Sequence, residues 1–303
     1  MKRLAIFLTI TFGLTWGVLI PSGFVLGTFA NGEASSPLMM GLIATSMFFP
    51  LAGALVANLA CKPEERIGLT WKPLVRQNIR NYLIAWLAPA AVALLGCVVF
   101  FAANPQWFDP TMRSYLETAA TAAGLSADDL TSHMPPMDVM LVVTLVASLT
   151  VAPFINMIPA FGEELGWRGM LFPTLSERKS PRVAALVTGI IWGLWHAPAI
   201  AMGHNYSMGY AGFPIAGILT MTLTCTAMSC WLCLLRQRSG SVWPCALAHG
   251  AFNAIANFGV IFCAVGQTPL GPSPLGLVAG IPLIALGAFC WLRLVNGDGG
   301  VSP

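Results

Sequence analysis

Three short motifs set ionisable and amide side chains inside long apolar runs, where each ionisable group costs at least about 2.5–3.5 kcal/mol to hold within a bilayer. Phe161-Gly162-Glu163-Glu164-Leu165-Gly166-Trp167-Arg168 carries two carboxylates and a guanidinium in an apolar stretch from about 139 to 175. Trp192-Gly193-Leu194-Trp195-His196 carries one imidazole. His249-Gly250-Ala251-Phe252-Asn253 carries a second, with an amide four residues further on. Successive helical residues diverge by about 100°, so the two glutamates point in different directions. Glu164 and Arg168 stand four apart and pair on one face, which leaves Glu163 pointing elsewhere with no local partner. His249 and Asn253 share a helical face that Asn257 continues. Each motif alone has a bland reading: a solvated helix end, a packing histidine, polar glue between helices. Two histidines and a spare glutamate together fit those readings poorly.

Such a set supports hydrolysis by either of two routes. Glu163, desolvated and close to His196, could act as a general base toward water, while His249 and the Asn253 amide donate to the oxyanion that forms on an attacked carbonyl. Alternatively Glu163, His196 and His249 could hold a zinc ion that activates the water. No His-Glu-x-x-His helix is present to favour the second route, and the spacing does not choose between them.

The elements that must position these groups are membrane helices. Of 303 residues, 56% are hydrophobic and only 9% charged, where a soluble domain carries about a quarter charged residues; mean hydropathy is +0.75. A helix crosses a bilayer core with about 20 apolar residues. Runs of that kind occur at roughly 5–27, 38–60, 79–103, 139–162, 183–201, 212–235, 243–263 and 275–294, predicting an all-α, polytopic protein of eight spans. None alternates polar with apolar residues as barrel strands do. With eight spans, all but Arg113 of the 15 lysines and arginines fall on one face. Cytoplasmic loops are enriched in these residues, so both termini are expected in the cytoplasm. The net charge of +3 says little, and nothing points to nucleic acid; the expected partners are the bilayer and a membrane-associated substrate, with the plasma membrane as the location.

Depth gives an internal check on the motifs. Glu163 and His196 are nearly equidistant from the basic turn at Arg178–Arg182, and His249 and Asn253 lie 11 and 15 residues beyond Arg238. Neighbouring helices would therefore bring all four to one point, reached from the cytoplasmic side.

In this order the motifs resemble the CAAX prenyl protease and bacteriocin-processing (Abi or CPBP) family of intramembrane endopeptidases, which shows Glu-Glu-x-x-x-Arg, Phe-x-x-x-His and His-x-x-x-Asn on separate helices. The corresponding residues are Glu163-Glu164-x-x-x-Arg168, Trp192-x-x-x-His196 and His249-x-x-x-Asn253. The likeness covers roughly 160–255 and implies that Glu163 activates water with His196, that His249 and Asn253 form the oxyanion site, and that Glu164 and Arg168 support them. Trp192 stands where the family has phenylalanine, a change expected to alter packing more than chemistry. The resemblance implies a peptide or prenylated protein as substrate; the family is labelled a metalloprotease family, though its metal requirement is disputed.

Two other classes of function remain open on these residues. A non-catalytic protein that binds a membrane peptide, such as a bacteriocin-immunity protein, would use the same cavity. A proton-coupled transporter also places Glu and His in membrane helices, although no paired repeats are visible. The organisation expected is one membrane domain over 1–296, with a protease core at about 139–263 and a disordered tail at 297–303. The first apolar run is expected to be a retained span, because no small-residue cleavage site follows it. Asp109-Pro110 predicts a surface helix over 111–123. Cys230-Trp-Leu-Cys233 lies in an apolar helix, where cysteine behaves as a small hydrophobe.

Overall fold

The computed structural model describes residues 2–31, 36–69, 71–132, 134–265 and 268–295; the expected tail lies outside them. The described residues are nearly all helical, with a single isolated bridge, Phe108 to Cys263, as the only extended pairing among them. Six helices are long and apolar enough to cross a membrane: Lys2–Val25, Pro37–Leu59, Arg76–Ala103, Pro181–Ala201, Ile215–Ser239 and Trp243–Phe262. A seventh crossing is the pair Met137–Leu149 and Ala152–Ser176, bent by 45°. Pro153 sits at that bend; its ring blocks a helical hydrogen bond and disfavours helix in the residue before it.

The eighth expected run behaves differently. It is helical only over Ile281–Arg293, about 20 Å of helix against a hydrocarbon core of about 30 Å. Leu275 to Gly280 precede it as turns rather than helix. Irregular backbone within a membrane protein must find internal partners. The Tyr206 and Thr224 hydroxyls supply them here, donating to the Leu275 carbonyl at 2.7 and 3.1 Å.

Burial separates the centre of the bundle from its wrapping. The most apolar stretch of Ile215–Ser239 is 72% buried, against 22% for Lys2–Val25. Met137–Leu149 buries none of its residues, and Val139, Val142, Val143 and Val146 are all exposed, the pattern of a helix facing lipid all round. Two glycines let the central helices touch. A Cβ on Gly193 would lie 2.3 Å from Thr222 Cα, and one on Gly250 would lie 2.5 Å from the Met157 nitrogen. Small residues of this kind allow close backbone approach where lipid offers no hydrophobic drive.

The basic end of the bundle is stitched by long-range bonds. Arg3 reaches Thr174 at 3.1 Å, the Glu65 carbonyl and the Glu177 carboxylate. Asn78 donates to the Ser239 carbonyl at 2.9 Å, Ser241 to the Lys72 carbonyl at 2.7 Å, and Arg182 to the Leu292 carbonyl at 2.7 Å. At the other end Asp109 N–H donates to Phe262 O at 2.8 Å. The expected surface helix is present there as Arg113–Ala123. Asp109 precedes it and accepts from the Thr111 and Arg113 amides at 2.8 Å each. The Thr111 hydroxyl, and then these amides, hold its carboxyl below the ordinary 3.8.

Candidate active site

Glu163 and Glu164 end the Ala152–Gly166 helix, and the chain then widens into a π-helical stretch, Trp167–Leu171, that carries Arg168. Such wide turns recur at functional sites. The two glutamates diverge as their spacing requires. Glu164 Oε1 accepts from Arg168 Nη1 at 2.9 Å, both side chains being fully buried. The same oxygen lies 3.0 Å from His249 Nδ1. Glu164 thus holds two motifs together rather than merely pairing with its arginine, a link between helices that spacing within one motif could not reveal. The Arg168 guanidinium also sits 4.5 Å over the Trp192 ring, a cation–π contact that weakly helps to offset its desolvation.

Glu163, only 1% exposed, is not without a local partner as its sequence suggested. Trp167 Nε1, one turn on, donates to its Oε2 at 3.1 Å, and Trp192 Nε1 donates to the same oxygen at 2.6 Å. The second bond corrects the expectation for Trp192: a phenylalanine could fill the space but could not donate. Trp167 was passed over in the sequence because an indole reads as packing; its place four residues after Glu163 was the available signal.

His196 ends the Pro181–Trp195 helix, and its Nδ1 lies 2.9 Å from the Trp192 carbonyl. A carbonyl only accepts, so Nδ1 carries the proton and the neutral ring offers Nε2 as an acceptor. His249 likewise commits Nδ1 to Glu164, leaving Nε2. The T-shaped stacking of Trp195 on His196 (4.8 Å) and of Trp192 on His249 (5.2 Å) fixes both rings. Trp195 is anchored in turn by Thr15 of the first helix, to which its indole donates at 2.7 Å.

Glu163, His196, His249 and Asn253 all line one cavity of about 280 Å³. Glu164 and Arg168 stand behind its wall. Asn253 is the most open of the four, an exposed residue on the same helix as His249. The cavity runs away from the basic end of the bundle, past Leu19 and Met40 to His204, Asn205 and Asn257. The expected approach from the basic side is therefore not what the structure offers: Trp167, Glu164 and Arg168, each 0% exposed, close that side. His204 lies outside the three motifs and gave no signal in the sequence beyond its residue type.

The donor set expected for zinc does not assemble. Among the described residues no three His, Cys, Asp or Glu side chains come together as a group that could hold a metal ion. One oxygen of Glu163 is taken by two indoles, and both histidines spend Nδ1 elsewhere. All eight cysteines are free, and Cys230 and Cys233 are buried within the Ile215–Ser239 helix.

Two comparisons bear on this arrangement. Residues 140–255 match the profile of the type II CAAX prenyl endopeptidase Rce1-like family. A protein named CAAX prenyl protease 2 from Methanococcus maripaludis is 36% identical over 93 residues, which is 28% of this chain and 33% of the relative. The chain thus spans about a third of the length of the curated relative that it matches.

Proposed function

From a chain whose residues 140–255 belong to the Rce1-like CAAX endopeptidase family, we propose a membrane-embedded endopeptidase that cleaves a peptide bond with a water activated by Glu163. The observation that carries this reading is the common cavity: one carboxylate, two imidazoles and an amide, from three helices, line a space of about 280 Å³. The family match and the relative's name support the same activity. Its substrate would be a membrane-associated or lipidated protein or peptide.

The geometry suggests a division of labour. The two indole donors fix Glu163 through Oε2 and leave Oε1 to take a proton from water. Nε2 of His196, an acceptor by its tautomer, holds the water's other hydrogen. Attack on the carbonyl places negative charge on oxygen, toward which Nε2–H of a protonated His249 and the Asn253 amide donate. Glu164 supports that imidazolium from the far side at 3.0 Å. Its carboxylate also faces Arg168, so the buried cluster carries compensating charges, as groups removed from water require. The proton held by Glu163 then passes to the leaving amine as the C–N bond breaks.

The test uses detergent-purified protein with prenylated and unprenylated peptides, with and without chelator, and products read by mass spectrometry. Cleavage is expected, and it should persist with chelator. Asn253→Ala should slow cleavage by about 10²–10³-fold, the usual loss for one oxyanion donor. Cleavage by Glu163→Ala at the wild-type rate would overturn the role given to Glu163.

A further inference from the structure

The cavity has a direction, and that direction sets which side of the membrane supplies the substrate. Beyond Asn253 it meets a second, larger depression of about 620 Å³ at the end of the bundle that carries Arg113. The two share Met40, His204, Asn205 and Asn257, and the outer one reaches Tyr115 and Ser148. The passage therefore runs from the surface at Tyr115 to the carboxylate of Glu163. No lysine or arginine lines either space. The basic end is sealed by the fully buried Trp167, Glu164 and Arg168, and beyond them the turn holding Glu177 is clasped by Arg3.

Charge placement orients this passage. Every lysine and arginine except Arg113 belongs to the closed end or to the helices rising from it. The long-range bonds from Arg3, Asn78, Arg182 and Ser241 show that these loops gather on one end of the bundle. Loops rich in lysine and arginine stay in the cytoplasm. The open end is then the extracytoplasmic one.

We infer that the site is entered from the extracytoplasmic side, through the vestibule lined by His204, Asn205 and Asn257, and that it takes polypeptide segments presented there. This rests on the endopeptidase reading above. The ligand class follows from the wall. Among its lining residues Glu163 is the sole carboxylate and no cation is present. A free C-terminal carboxylate would find no counter-ion on the way in, whereas neutral peptide groups would find imidazole and amide partners. The substrate is accordingly an internal, uncharged stretch of an exported or membrane-anchored chain.

Single cysteines introduced into the full chain test this, with the wild-type chain as the background for its own buried thiols. Asn257→Cys and Tyr115→Cys mark the vestibule, and Lys179→Cys marks the closed end. In intact cells a membrane-impermeant maleimide should label both vestibule variants, and Lys179→Cys only after the membrane is disrupted. In purified Asn257→Cys protein, a bulky maleimide adduct should abolish most peptide cleavage, while a small methylthio adduct should leave most of it. Vestibule cysteines that label only together with Lys179→Cys would overturn the sidedness. A bulky adduct without effect on cleavage would overturn the route. A wild-type protein that cleaves no peptide would instead sink the catalytic reading, and the labelling pattern would still decide which side the cavity faces.

Discussion

Two ion pairs in this chain have the same spacing and nearly the same length, yet they belong to different kinds of structure. Arg113 and Glu117 lie four apart in the outer surface helix at 2.7 Å, with side chains 81% and 52% exposed. Glu164 and Arg168 lie four apart at 2.9 Å with no exposure at all. In water the first pair adds about 0.3–0.5 kcal/mol, since solvent screens the charges and two long side chains lose freedom. Removing one partner of the second strands a charge in a medium that cannot solvate it, at about 3–5 kcal/mol. Distance is thus a poor guide to what a pair does. The surface pair trims the end of a helix; the buried one joins two of the three motifs through His249.

The comparison can be sharpened or broken, beginning with the largest expected effect. Glu163→Gln keeps the shape of the buried cluster but removes the base, and peptide cleavage should fall by about 10²–10⁴-fold with thermal stability in detergent little changed. A parallel collapse of stability would make Glu163 a structural charge like its neighbour. Arg168→Met should destabilise the protein by about 3–5 kcal/mol, read as the unfolding free energy in mixed micelles. A cost no greater than that of a surface mutation would remove the contrast. Trp192→Phe deletes one charge-assisted bond to Glu163 while filling the space, for a loss of about 1.5–3 kcal/mol. If that loss appears in turnover rather than in stability, the indole is a positioning group. Glu117→Ala should cost at most about 0.5 kcal/mol, and that small effect should vanish in high salt.

Much of this was legible in the sequence, and the failures have physical causes. Apolar runs and the scarcity of charge gave the helices, because bilayer thickness dictates helix length. The last run failed as a single full-length helix because apolar composition does not report backbone shape: Leu275–Gly280 is as apolar as a helix but folds as turns. Within the motifs, the i,i+4 rule placed Glu164 with Arg168 and turned Glu163 aside. It could not see that Glu164 also meets His249, a contact made across 85 residues of chain. Nor does a rule about polar partners notice indoles, although two of them hold Glu163. Depth counted from the basic loops placed the four side chains at one level, but a count of residues carries no information on which end of a cavity is open. That property depends on how bulky groups such as Trp167 pack above the glutamates.

The π-helical stretch Trp167–Leu171 has a mechanical consequence for the rest of the chain. Such a stretch amounts to one additional residue threaded into a regular helix, so everything after it is rotated by about 100° relative to an uninterrupted one. Thr174 and Glu177 meet Arg3 only because of that offset. Deleting a single residue from the bulge would lengthen nothing and remove no buried charge, yet it would swing the cytoplasmic hairpin out of phase with the first helix. The chain is in this sense a ratchet set one tooth forward, with the Arg3 clasp as its pawl.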